Sequence, residues 1–281
     1  MPDPCPTCHA AVTGRYCSAC GEKSFDHHSL SLSHFLEHAV EAVIHFDGAI
    51  LGTLKTLVLR PGELTAAYTR GNRKPYLAPM QLFILMNLFY FFATALNGWN
   101  TLSTNLETHV GWTQHQTIAK PMVEQKLTAR GMTFEAYASV FDAKSRIQAK
   151  SLVILMVALF ALGLAALRFG QGRYVAEHLV FSLHLYAFLM LYLSITSTAA
   201  NGILWALARG AGFSPGYVAL DLAISLILGA VFVWYVSSAL RATGTRTWPA
   251  AMAQGVVLVG WMLAVLWLYR FLLFLVGFYT T

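Results

Sequence analysis

The sequence predicts an all-α polytopic membrane protein of about five transmembrane helices, preceded by a small four-cysteine zinc knuckle or ribbon and an interfacial amphipathic helix. Three observations predict it. Apolar residues make up 57% of the chain and charged ones 11%, whereas an ordinary soluble domain carries about 25% charge. Five apolar stretches approach or exceed the roughly 20 residues a helix needs to cross a bilayer. All four cysteines fall within the first twenty residues. A mean hydropathy of +0.56 excludes a large soluble core. The net charge of +6 fits cytoplasmic loops and lipid headgroups better than nucleic acid. The first dozen residues offer neither a basic nor an apolar signal region, so no cleaved leader is expected.

Residues 1–26 form the first module. Cys5 and Cys8 make one CxxC pair, Cys17 and Cys20 the next, with eight residues between them. Each CxxC offers two sulfurs from one turn, and four thiolates satisfy the tetrahedral preference of zinc. One structural zinc per chain is expected, with no open position for catalysis. Two disulfides, or a single CxxC redox pair, are the rival readings. Gly14 and Gly21 supply permissive backbone for the turns. Arg15 and Lys23 against Asp3, Glu22 and Asp26 give a charge of −1. A nucleic-acid module would be basic, so the knuckle is expected to face a protein partner.

Residues 29–77 are expected to lie at the membrane surface. From 34 to 46 the pattern is helical, with Phe35, Leu36, Ala39, Val40, Val43 and Ile44 on one side. His34, His38, Glu41 and His45 make a stripe on the other, either a metal or pH-sensing stripe or the solvated face of an interfacial helix. The apolar run at 49–59 is too short to span and is interrupted by Lys55. A short helix is expected over 61–70, opened by Pro61 and closed by Gly71. Arg60, Arg70, Arg73 and Lys74, with Tyr68 and Tyr76, form a basic, aromatic junction suited to anionic headgroups or a partner. Pro75 and Pro79 stop any helix from running through it.

Residues 78–281 make the transmembrane bundle. Spans are expected at 78–96, 151–167, 179–200, 217–240 and 250–278. The loop at 97–150 should hold two helices, one from about Pro121 to Gly131 and one capped by Thr133. Seven Lys/Arg precede the first span. Arg168 and Arg173 follow the second and Arg241 and Arg246 the fourth, while the loop after the third has Arg209 alone. This bias places the N-terminus in the cytoplasm, with the 97–150 loop and the C-terminus outside. Thiols in a reducing cytoplasm suit zinc better than disulfides.

The double CxxC, then Arg60-Pro61, Tyr68, Gly71-Asn72-Arg73-Lys74, Tyr76 and Pro79 ahead of a membrane span, resemble the "domain of unknown function 3667" family of zinc-ribbon membrane proteins. Glu177, His178, Phe181 and His184 look like a further family feature. The resemblance implies nearly the whole chain and a bacterial inner-membrane location, and implies no activity.

Ionisable residues inside spans point to function. Glu177, His178 and His184 are a candidate polar cluster, although the six-residue step between the histidines does not place them on one face. Asp221 and Arg270 are a candidate structural pair. No HExxH, GxSxG, P-loop or dinucleotide-binding glycine pattern occurs. The expected function is therefore a non-enzymatic adaptor, assembly or regulatory protein. A small-molecule or lipid transporter is the alternative, and an interfacial lipid- or metal-handling enzyme the third reading.

Overall fold

The computed structural model describes residues 4–12, 14, 16–22, 49–98, 100–211 and 217–281, without the side chains of 201 and 203–225. The His34, His38, Glu41 and His45 stripe and its amphipathic helix lie outside the described residues. The described chain is helical, with an isolated antiparallel bridge between Pro4 and Ala11 and no strand among the described residues. Its helices are α1 (Ile50–Leu59), α2 (Glu63–Thr69), α3 (Pro79–Asn97), α4 (Leu106–Gly111), α5 (Gln116–Arg130), α6 (Phe134–Leu167), α7 (Val175–Ala211), α8 (Tyr217–Ala242) and α9 (Trp248–Thr280).

Four of them are long and apolar enough to cross a membrane: α3, α6, the 175–200 part of α7, and α9. The expected fifth span, 217–240, falls on α8, whose side chains are described from Leu226 onward; the apolar part there is Leu226–Ala242. Contacts divide the chain into two units. The first comprises 1–90 with 161–259, the second 91–160 with 260–281.

In the first unit α7 is the central element, with 61% of its span window buried against 28–39% for the other three. Phe188 of α7 stacks on Tyr235 of α8, ring centres 3.4 Å apart. The Tyr235 hydroxyl donates to the Leu57 carbonyl of α1 at 2.7 Å. Such contacts matter because lipid is as apolar as leucine, so helices adhere through close packing and hydrogen bonds. α1 packs on α2 and α7. Thr53, fully buried, accepts the Leu77 N–H at 3.0 Å, which ties α1 to the approach of α3.

The short second helix begins later than the proline pattern suggests. Arg60-Pro61-Gly62-Glu63 is a turn in which the Glu63 N–H donates to the Arg60 carbonyl at 3.0 Å. Gly62 has φ +83°, as the third residue of a Pro-Gly type II turn requires. Pro61 is therefore outside α2. The far end is as expected: Gly71 has φ +87°. The Asn72 N–H reaches the Ala67 carbonyl and the Gly71 N–H the Tyr68 carbonyl, the paired bonds of a Schellman closure. Pro79 opens α3, and the Gln81 side chain accepts the preceding Ala78 N–H at 3.2 Å.

In the second unit Leu106, Ala119, Val123, Tyr137, Phe141 and Phe274 form the core. α5 starts at Gln116, five residues before the expected Pro121, which sits inside the helix; Gly131 closes it with φ +64°. Thr133 accepts the Ala136 N–H at 3.3 Å and caps α6, which then runs unbroken to Leu167. Lys126, Arg130 and Lys144 donate to the carbonyls of Phe278, Thr281 and Thr280. Those cations complement the negative end of α9.

A methyl group added at Gly62 would meet the Ala239 carbonyl oxygen at 2.6 Å, whereas nothing lies within 4 Å of one added at Gly52. Gly62→Ala should therefore destabilise the protein by about 2–4 kcal/mol. Gly52→Ala, within α1, should be neutral or stabilising by up to about 1 kcal/mol. Thermal unfolding of the purified protein in detergent separates the two, and equal midpoints would contradict this packing.

Candidate metal centre and its seat

The two CxxC turns are built alike. In the first, the Cys5 N–H donates to the Ala10 carbonyl and the His9 N–H to the Cys5 carbonyl, at 2.8 and 2.9 Å. In the second, Cys17 pairs with Glu22 and Gly21 with Cys17, at 2.7 and 2.8 Å. The fourth residue after each leading cysteine takes left-handed φ: Gly21 at +73° and His9 at +62°. The sequence offers no glycine at the first of these positions, and His9 fills it.

Folding the two turns together brings all four sulfurs within 4.8 Å of one another. Cys5 to Cys20 and Cys8 to Cys17 are each 3.6 Å. That is far beyond a disulfide bond of about 2.05 Å. It is close to the roughly 3.8 Å edge of a tetrahedron with 2.3 Å metal–sulfur bonds. The four thiols are thus positioned to hold a metal ion. Cys5 and Cys17 are buried and Cys8 is exposed. The backbone N–H groups of Cys20 and Ala19 hold the Cys17 thiol down to about 6, while burial and the neighbouring thiols push Cys8 and Cys20 up; the cluster favours one thiolate by itself, and a bound metal would draw the others.

The module has a seat. Glu22, 7% exposed, accepts the backbone N–H of Lys74 at 3.0 Å and of Arg73 at 3.3 Å. It also accepts the Thr7 hydroxyl at 2.7 Å, and that hydroxyl lies 2.9 Å from the Asn72 side-chain amide. A buried carboxylate is stable when several donors share its charge. In the sequence Glu22 enters only a charge sum, Asn72 only the family motif, and Thr7 carries no signal; the position of Glu22 directly after the last cysteine turn is the one local hint of the seat.

The expected junction residues follow from this geometry. Arg73 stacks on Tyr68, 4.1 Å above its ring, and donates to the Tyr68 carbonyl at 3.2 Å. Burial pushes the Tyr68 hydroxyl up, opposed by Arg73. Arg70 pairs with Glu63 at 2.7 Å on an open surface, where such a pair contributes little. Arg60 and Lys74 are exposed and Tyr76 is half-buried.

Glu177 and His178 line one small cavity with Thr65, Thr69, Arg168 and Arg173. At about 10 Å³ it has room for about one water. His184 Nδ1 lies 2.9 Å from the Thr65 hydroxyl of α2, both buried. Glu177 accepts Arg173 at 3.0 Å. Arg168, read in sequence as a topology charge, is 4% exposed and donates to the Leu240 carbonyl and Thr243 hydroxyl at 3.3 and 3.2 Å. Arg173 also reaches the Thr243 carbonyl. Both therefore cap the C-terminal end of α8. Burial pushes Arg168 down to about 10, so it stays cationic at neutral pH. Glu177, Arg173, Arg168 and Thr243 are thus joined by hydrogen bonds, and His184 is held separately by Thr65. The side chain of Asp221 is outside the described residues, and Arg270 donates to the Thr101 carbonyl at 3.1 Å.

Residues 47–91 match the family model described as "Protein of unknown function (DUF3667)". The match supports the chain's membership of that uncharacterised family. No curated protein matches the chain, and no solved structure does. The matched segment is shorter than the resemblance implied. It holds α1, α2 and the Arg73–Lys74 seat, while the four cysteines and Glu177–His184 lie outside it.

The second unit hides a histidine pair. His109 Nδ1 and His115 Nε2 are 2.9 Å apart, at 0% and 2% exposure. Burial, then His115 and Arg270, push His109 down to about 3, and burial and Arg270 lower His115.

Two outcomes follow. Cys17→Ser should drop the bound metal well below the one ion per chain expected of the parent, and acidification should release metal from the parent as thiolates protonate; metal analysis after desalting reads both. For His109, the unfolded chain takes up a proton near 6.5 and the folded chain only near 3. Its stabilisation is therefore complete above pH 6.5 and is lost below it, by at most about 1.4 kcal/mol per pH unit. Thermal midpoints should fall from pH 7 to pH 5, and His109→Phe should reduce that slope; an unchanged slope would sink the assignment.

Proposed function

We propose that this protein is a non-enzymatic membrane adaptor or regulatory protein whose cytosolic zinc module presents a surface to a protein partner. The observation that carries the reading is the Glu22 latch, which seats the four-cysteine module on the family-matched junction through the Arg73 and Lys74 amides. Four thiolates form a closed donor set, suited to a structural zinc and not to an ion that binds substrate. Tyr16, 59% exposed on that module, is an aromatic of the kind that anchors protein interfaces.

The Lys/Arg bias supports a cytoplasmic N-terminus and an extracytoplasmic C-terminus, with α8 as a fifth span. Family resemblance supports a bacterial inner membrane. Arg60, Arg70 and Lys74 are exposed cations beside the first span, and anionic headgroups are their natural counterpart. The exposed Leu51 and Leu59 of α1 suit an interfacial position.

The test is quantitative crosslinking of the full chain in native membranes. Deleting residues 1–26 and substituting Cys5→Ser should each remove the same crosslinked partner. Glu22→Gln should keep the metal yet reduce the crosslink several-fold. An unchanged crosslink pattern in the deletion would refute the adaptor reading.

A further inference from the structure

The second unit contains a polar cavity of about 470 Å³, within the range of small-molecule sites. It is lined by Ser103, Thr104, Thr108, Asp142, Arg146 and Arg270, among others. Its cations exceed its anions by one, with Arg146 and Arg270 against Asp142.

The walls are organised by bonds that precede any ligand. Asn100 Oδ1 accepts the N–H groups of Leu102 and Ser103 at 3.1 and 2.8 Å. Asp142 accepts the Leu106 N–H at 2.7 Å, and Ser145 donates to the Thr104 carbonyl at 3.1 Å. Arg146 is set by its bond to the Asp142 carbonyl at 3.2 Å. Arg270 is the one charged residue in the 33-residue α9. A guanidinium in so apolar a helix is costly, and such residues mark ligand sites.

We propose that this cavity binds a phosphate carried by a polyol. Guanidinium groups offer planar forks that match phosphate oxygens. The Ser103 and Thr108 hydroxyls and the Asp142 carboxylate suit the hydroxyls of a glycerol or sugar moiety. The same chemistry reaches the cavity either as a soluble phosphorylated polyol or as a phosphatidylglycerol headgroup. The site shares no residue with the four-cysteine module or its seat, so it stands or falls independently of the adaptor reading.

Two arms distinguish the sources. Titration calorimetry of the full chain in phospholipid-free detergent uses glycerol 3-phosphate, with inorganic phosphate as comparison. Native mass spectrometry from nanodiscs compares phosphatidylglycerol with phosphatidylcholine. Binding in the first arm assigns a soluble ligand, and selective retention in the second a lipid headgroup; either supports the site. Arg146→Gln, at an exposed helix position, should weaken binding about tenfold with an unchanged thermal midpoint. Arg270→Gln should weaken it at least as much. Absence of binding in both arms, binding unchanged in Arg146→Gln, or equal affinity for inorganic phosphate and glycerol 3-phosphate would overturn the proposal.

Discussion

Backbone carbonyls left over at the C-terminal ends of α8 and α9 are paired by basic side chains, buried at the end of α8 and largely exposed at the end of α9. In lipid or in a dry interior an unpaired carbonyl costs several kcal/mol. The protein spends its scarce cations there. Arg168 and Arg173 reach the carbonyls that close α8. Lys126, Arg130 and Lys144 do the same for α9. With Lys, Arg, Asp and Glu at 11% of the chain, two basic residues that look like simple orientation signals, Arg168 and Arg173, are structural caps as well. The two roles are compatible, since a helix end that meets the headgroups is also where a cation does least harm.

The same rule, with the sign reversed, seats the four-cysteine module. Glu22 is a buried anion, and backbone N–H groups of the Arg73–Lys74 turn supply its donors. The cationic side chains of that turn are used differently: Arg73 lies on Tyr68, and Lys74 stays exposed. The junction thus presents its amides inward and charge outward. This division lets one short turn serve both a protein module and a charged environment.

Much of this was legible in the sequence. Apolar length predicted α3, α6, α7 and α9, CxxC spacing predicted the sulfur cluster, and Gly71 predicted its own closure, because each depends on local chemistry. The start of α2 differs from the expectation because Pro61 suits a first helical turn and a Pro-Gly turn equally well; Gly62 at φ +83° makes it the turn. For α5 the proline rule points to Pro121 as an opener, whereas the helix begins five residues earlier and carries Pro121 exposed within it. The joint role of Glu22, Thr7 and Asn72 is not legible in the sequence because it is tertiary: a carboxylate finds amides 51 and 52 residues away, and no periodicity reports that. Arg168 was hidden in the same way, its partners lying on another helix. The assembly of Arg146, Asp142 and Arg270 around one cavity likewise needs three separated segments to meet.

The Glu22 seat also has a consequence for biosynthesis. A chain grows from its N-terminus, so the cysteine turns emerge well before Arg73 and Lys74, which lie 51 and 52 residues beyond Glu22. An ion taken up by the four thiols would therefore be in place before the junction exists, and the two turns would meet that junction with Thr7 and Glu22 already set. Without an ion, the turns would have to order themselves and find the Arg73 and Lys74 amides together. The order of synthesis thus separates the assembly of the sulfur cluster from the making of its seat.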